Sequence, residues 1–286
     1  MNALVKRSWI GRRGLRTTAL AALLTVIAAA NAFAVSVSPN ALYLDNRTRS
    51  GLLTLFNPGS LPEEIEIGFA FGYPMADSLG NVSVQLVGVA PEGEPSLVPW
   101  VRAFPLRLRL APGQRQVVRI LVNPPAGLPA GEYWGRITVT SRGGQPPIEQ
   151  RSGDISLSVS LQTVIVAAVT YRNGPVQTGL ELGVGSARST PVGAELLLDL
   201  TRQGNAAFIG RLVAQVVSPG GKVVAEDEAD IAVYRQMRAR VIVPMKDKPA
   251  DMTGYKIRFA IDTQRPDLPP EGPLPTSRLT GEIPIT

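Results

Sequence analysis

The chain has 286 residues, enough for two ordinary domains, and it contains no Cys and no His. The missing thiols exclude a disulfide framework and thiolate chemistry, and the missing imidazoles remove the usual general base, the partner of a serine nucleophile and the commonest metal ligand. The formal net charge of +6 sits almost entirely in the first 34 residues; the rest holds 24 basic and 23 acidic side chains, a balance that gives no footing for nucleic acid.

Residues 1–34 have the three parts of an export signal. Lys6, Arg7, Arg12, Arg13 and Arg16 form a basic front, Leu20–Ile27 an apolar core, and Ala32-Phe33-Ala34 a small-residue end that fits A-x-A cleavage. The apolar core is too short for an ordinary membrane-spanning helix. Arg12-Arg13 raises twin-arginine export, but Arg16 stands where that motif wants an apolar residue, so general secretion is preferred. The expected product is a mature chain starting near Val35, without stable membrane insertion, in a bacterial periplasm.

Gly and Pro together number 53 and punctuate short runs of alternating Val, Leu, Ile and aromatic residues, the pattern of an all-β chain with frequent turns. Val35–Ser38 reads as a first strand and Arg49–Asn57 as a second, ended by Asn57-Pro58-Gly59. Glu64–Phe71 alternates, placing Ile65, Ile67, Phe69 and Phe71 on one face. Leu106–Leu110 alternates before the turn at Ala111-Pro112-Gly113, and Gln116–Val122 and Tyr133–Thr140 continue the series. Ile155–Tyr171 closes it: apolar residues alternate with small polar ones, then become nearly continuous, with no Lys, Arg, Asp or Glu. Some seven strands and no helix between residues 35 and 171 predict an immunoglobulin-like sandwich.

Tyr171–Pro175 reads as a hinge, which divides the mature chain into domains 35–171 and 172–286. Beyond it, Glu195–Leu200, Gly210–Val217, Arg238–Val243, Tyr255–Ile261 and Leu279–Ile283 read as strands of a second β-sandwich. Ser218–Lys222 is a hairpin signal leading into Val223-Val224. Val184–Arg188 reads as a turn, and Gly204-Asn205 as a strand connection or a ligand loop. Glu63-Glu64 and Glu226-Asp227-Glu228 are the tight acidic clusters. Paired carboxylates can serve glycoside hydrolysis or hold a cation, but neither cluster has EF-hand spacing, and both read as solvated turn charges. There is no G-x-x-x-x-G-K-[ST] phosphate loop. Neither an enzyme nor a cofactor or metal is expected.

Four stretches, taken in order, carry a resemblance: Asn57 after Leu55-Phe56, Leu108–Ile120 around Pro112-Gly113, Leu128–Trp134, and Leu157–Val166 with its Leu161-Gln162-Thr163 centre. They resemble the PapD-like periplasmic pilus chaperones of the chaperone–usher pathway over about residues 35–172. The resemblance implies two immunoglobulin-like β-sandwich domains in a boomerang arrangement. It also implies a binder, not an enzyme, that lends the last strand of its first domain to pilin-like secreted subunits and delivers them to an outer-membrane usher. On that strand Ile155, Leu157, Val159 and Leu161 share one face and are the expected knobs, with Ser156, Ser158 and Ser160 on the other. The same alternation also describes any half-buried strand covered by its own second sheet. Ile165–Val169 reads as part of the protein's own core.

The family's anchoring pair, an Arg on the first strand and a Lys after Leu-Gln-Thr, has no counterpart. Ser38–Leu44 holds no Arg, and Val164-Ile165-Val166 stands where the Lys would fall. Arg107, Arg109 and Arg119 are left as candidate cleft cations or as solvated strand-face charges. An exported structural or adhesive subunit of a surface appendage is the alternative function. A carboxylate-based carbohydrate enzyme or binding module would need acids and aromatics gathered in one cleft, and the chain has three Trp and scattered acids.

Overall fold

The computed structural model describes residues 35–143, 148–152, 155–159 and 162–286, with the backbone alone for 148–152 and 155–159. The export signal lies outside the described residues. The first half forms β1 (Ser36–Ser38), β2 (Ala41–Asp45), β3 (Ser50–Phe56), β4 (Glu63–Ala70), β5 (Pro74–Ala76), β6 (Val82–Val84), β7 (Val101–Phe104), β8 (Arg107–Leu110), β9 (Arg115–Val122), β10 (Gly131–Gly143), β11 (Ile148–Ser152), β12 (Ile155–Val159) and β13 (Gln162–Asn173). The second half forms β14 (Thr178–Thr190), β15 (Gly193–Gly204), β16 (Phe208–Val217), β17 (Val223–Val233), β18 (Gln236–Pro244), β19 (Lys256–Asp262) and β20 (Leu279–Pro284). Among the described residues there is no α-helix, only a short 3-10 turn at Val98–Trp100.

Strand alternation builds the two layers of the first sandwich. One sheet has the order β1-β3-β9-β7 and the other β2-β13-β10-β4-β8. Leu53, Leu55, Val118 and Ile120 on the first bury against Ile65, Ile67, Ile137, Val139 and Val169 on the second. The second sandwich packs β14-β15-β18 on β17-β16-β19-β20 around Leu196, Leu198, Leu212, Val216 and Phe259. The all-β, two-sandwich architecture expected from the sequence is the one observed.

Several local expectations differ. Val184–Arg188 is not a turn but lies inside β14, where a bulge between Leu182 and Gly185 shifts the register against β15. Glycine marks a close approach there: a Cβ on Gly185 would stand 2.5 Å from the Ile283 side chain. Glu63 is not a solvated turn charge; it opens β4, is 6% exposed and accepts a hydrogen bond from the Ser141 hydroxyl. Glu226-Asp227-Glu228 lies in the middle of β17, an edge strand, where Glu226 accepts from Gln215 and Glu228 pairs with Arg211 at 3.0 Å. Charge on an edge strand opposes pairing with another chain. The strands β2, β5, β6, β7, β11 and β14 were not read from the sequence.

Ile137 lies in the centre of β10, fully buried, opposite Phe69 on β4 and Ala167 on β13. Ile137→Ala is expected to destabilise the protein by about 2–5 kcal/mol. The measurement is urea unfolding, in which the midpoint falls and the slope stays unchanged.

Candidate functional site

β10 and β13 pair continuously from Gly131↔Asn173 to Arg142↔Gln162. β11 and β12 continue the hairpin from Ile148↔Val159 to Ser152↔Ile155, and among the described residues they pair with no third strand. On its other side β13 is covered by the parallel strand β2, but only over Ala168–Arg172. The cover begins at Asn40, whose carbonyl accepts from Ala168 N at 2.9 Å; Pro39 just before it has no N–H to offer a ladder. From Gln162 to Ala167, then, one edge of β13 faces no strand among the described residues. Such an edge presents backbone donors and acceptors in a row that fits an added strand.

The side chains of β13 alternate along this open stretch. Ile165, Ala167 and Val169 turn to the core opposite Val139, Ile137 and Gly135. Val164 and Val166 turn outward, 49% and 43% exposed, beside Thr140 and Thr138. The expectation that all of Ile165–Val169 belongs to the core therefore holds only for alternate positions.

The expected donor residues Ile155, Leu157 and Val159 fall at alternate positions of β12, opposite Ser152, Gln150 and Ile148. Leu161 lies outside the described residues. Arg107 and Arg109 lie on β8 opposite Glu66 and Glu64, and with Arg142 they line a shallow surface pocket. Arg107 reaches Glu66 at 2.8 Å, and the hydrogen bond it donates holds that carboxyl below its usual range. Arg119 is exposed on β9, in the opposite sheet. The three arginines are not brought together, because the thickness of the sandwich, about 10 Å, separates Arg119 from the other two.

The inner end of β10 and β13 is a polar and aromatic junction that the sequence reading missed. The Glu132 carboxylate is 4% exposed and accepts from Trp134 Nε1 at 2.7 Å, Arg172 Nε at 2.8 Å and Ala207 N at 3.1 Å. Arg172 also donates to the carbonyls of Glu271 and Gly272, the latter at 2.5 Å, which draws the Pro-rich segment Arg265–Pro275 against β13. Gly272 is needed there, since a Cβ would stand 2.7 Å from the Tyr43 ring. Trp134 packs edge-on against Tyr234 with centroids 4.8 Å apart, and Tyr73 stacks on Tyr234 at 5.2 Å. Arg136 donates to Gly72 O at 2.8 Å and lies 5.7 Å from the Tyr234 ring. Burial pushes the hydroxyls of Tyr234 and Tyr43 well above the usual tyrosine range. The period-2 rule already sets Glu132, Trp134 and Arg136 on the face opposite Ile137, and that is the signal that was available.

Chemically, the arrangement offers a strand edge on a rigid base. Among the described residues no group of three or more Asp or Glu side chains is placed to hold a metal ion. The chain matches no protein-family model and no curated protein. It is similar to several solved structures. The chaperone DraB of E. coli is 14% identical, with 88% of this chain and 97% of that one covered and a TM-score of 0.43. The SafB chaperone of Salmonella enterica, solved with the SafA pilin, belongs to a structure matched at 14% identity, 87% and 96% coverage and a TM-score of 0.43. The CupB2 chaperone of Pseudomonas aeruginosa is 12% identical, with 88% and 100% covered and a TM-score of 0.39.

Glu132→Ala would leave Arg172 without its carboxylate and the Trp134 and Ala207 N–H groups without their acceptor. Breaking a buried pair in this way costs about 3–5 kcal/mol. The expected outcome is a lower urea midpoint with an early change in tryptophan fluorescence, since Trp134 sits in the junction.

Proposed function

We propose that this chain is a divergent PapD-like chaperone of the bacterial periplasm, with domains 35–171 and 172–286. It caps pilin-like secreted subunits by donating the strand that runs through β12 and into β13, and it hands them to an outer-membrane usher. The observation that carries this reading is the open edge of β13 between Gln162 and Ala167, continued outward by a hairpin that pairs with no other strand among the described residues. A client strand pairs with that edge, and Ile155, Leu157, Val159 and Leu161 fill the client's groove. Each large apolar knob, fully buried, contributes about 1.5–3 kcal/mol, so four suffice for tight capping without a nucleotide or cofactor.

The outer face beside the open edge carries Val164, Val166, Thr138 and Thr140, none of them charged, and the Arg142 at its far end is taken up by Gln162 and Glu66. Capture on this edge therefore rests on strand pairing and apolar burial and depends little on a carboxylate anchor. Among the similar structures are a chaperone in complex with a pilin and one in complex with a tip adhesion subunit, and a partner of that kind is the one proposed for this chain.

The test is a double substitution, Leu157→Asp with Val159→Asp, in protein co-expressed with pilin-like subunits in the periplasm. The variant is expected to keep the wild-type urea midpoint within about 1 kcal/mol of stability and to lose subunit co-purification. Capture by the unmodified protein is expected to survive high salt. If the two aspartates instead unfold the protein, the strand faces its own core and the donor role fails.

A further inference from the structure

The sheet β1-β3-β9-β7 turns one face to the core and the other outward, and the outward face has an unusual composition. Across it run Leu52, Arg119 and Phe104 in one register row and Thr54 and Val117 in the next, followed by Phe56 and Arg115. Leu52 is 54% exposed, Phe104 60% and Val117 46%. Arg102, Arg115 and Arg119 are exposed as well, and none of them is in an ion pair among the described residues. None of the four strands contains an Asp, Glu or Lys. The Arg115 guanidinium lies 4.5 Å over the Phe56 ring, which holds the cation flat on the sheet, while Arg119 stands between two exposed apolar side chains.

Arginine and aromatic residues without lysine or acids are the signature of a protein interface rather than of a solvated surface. A guanidinium fork matches the geometry of a carboxylate pair, which a lysine point charge does not. We propose that this outer face is a second docking surface, for a protein segment that presents carboxylates alternating with apolar side chains. It is separate from the open edge of β13, which belongs to the other sheet. Four strands at about 4.8 Å spacing and seven residues at about 3.3 Å rise span roughly 450 Å². That is about half of the ~800 Å² per partner in a stable complex, so the contact is weak, transient and sensitive to salt.

The experiment measures fluorescence anisotropy of a labelled ten-residue peptide of alternating Glu and Leu, with the Lys–Leu peptide as control. The unmodified protein is expected to bind the acidic peptide, and not the basic one, with affinity falling at least tenfold between low and high salt. Arg115→Glu with Arg119→Glu is expected to weaken binding at least tenfold, and Arg119→Gln alone by a smaller factor. Arg107→Glu with Arg109→Glu, on the opposite sheet, is expected to change it less than twofold. All substituted side chains are exposed, and circular dichroism confirms the fold of each variant. Several results would overturn the proposal: no binding by the unmodified protein, equal binding by the Arg115/Arg119 variant, binding only to phosphatidylglycerol vesicles, or concentration-dependent self-association abolished by that variant. Failure of subunit capture in the Leu157/Val159 variant leaves this binding intact, so the two readings fail separately.

Discussion

Everything at the centre of this molecule depends on keeping the Glu132 carboxylate out of water. An unpaired carboxylate in that position would cost several kcal/mol, so its three donors have to arrive together. Trp134 and Arg172 come from the first half of the chain and the Ala207 N–H from the second. The backbone repeats the link, with Glu132 N donating to Asn205 O at 3.0 Å. One buried charge thus ties the two halves together through side chain and backbone alike.

The same residue helps to set where β13 is held, and the start of β2 at Asn40 sets where it is let go. Arg172, tied to Glu132 and to the Pro-rich carbonyls, fixes the inner end of the strand, and β2 covers it as far as Ala168. Beyond Ala167 the strand has β10 on one side and nothing on the other among the described residues. A firmly built base therefore carries an arm whose hydrogen-bonding capacity is half used. For a binder this division is economical, because the ordering cost of the arm is met largely by β10 before a client arrives.

How much of this was legible follows from the range of each signal. Ile65, Ile67 and Phe69 could be assigned to one face, and the strand pattern to a sandwich, because side-chain alternation is a local property of two or three residues. Val184–Arg188 was misread because a glycine such as Gly185 marks a bulge and a turn alike, and only the Ile283 side chain, about a hundred residues later, decides between them. Glu63 looked like a surface charge because its partner Ser141 lies 78 residues away. The junction at Glu132 and Arg136 was only half legible: alternation sets their common face, but their partners Ala207 and Tyr234 are set by tertiary structure. Arg107, Arg109 and Arg119 looked equivalent as strand arginines until the topology divided them between two sheets.

The strand borders of the two sandwiches are treated very differently. β17 carries Glu226, Asp227, Glu228 and Asp230 along a rim where a stray strand would meet a row of negative charge. The rim of β13 from Thr163 to Val166 carries no charge at all. Only one of the two rims is guarded by charge against a second copy of the chain. At high concentration, joining of bare rim to bare rim is the expected side reaction, through the same groups that suit the strand to hold another chain.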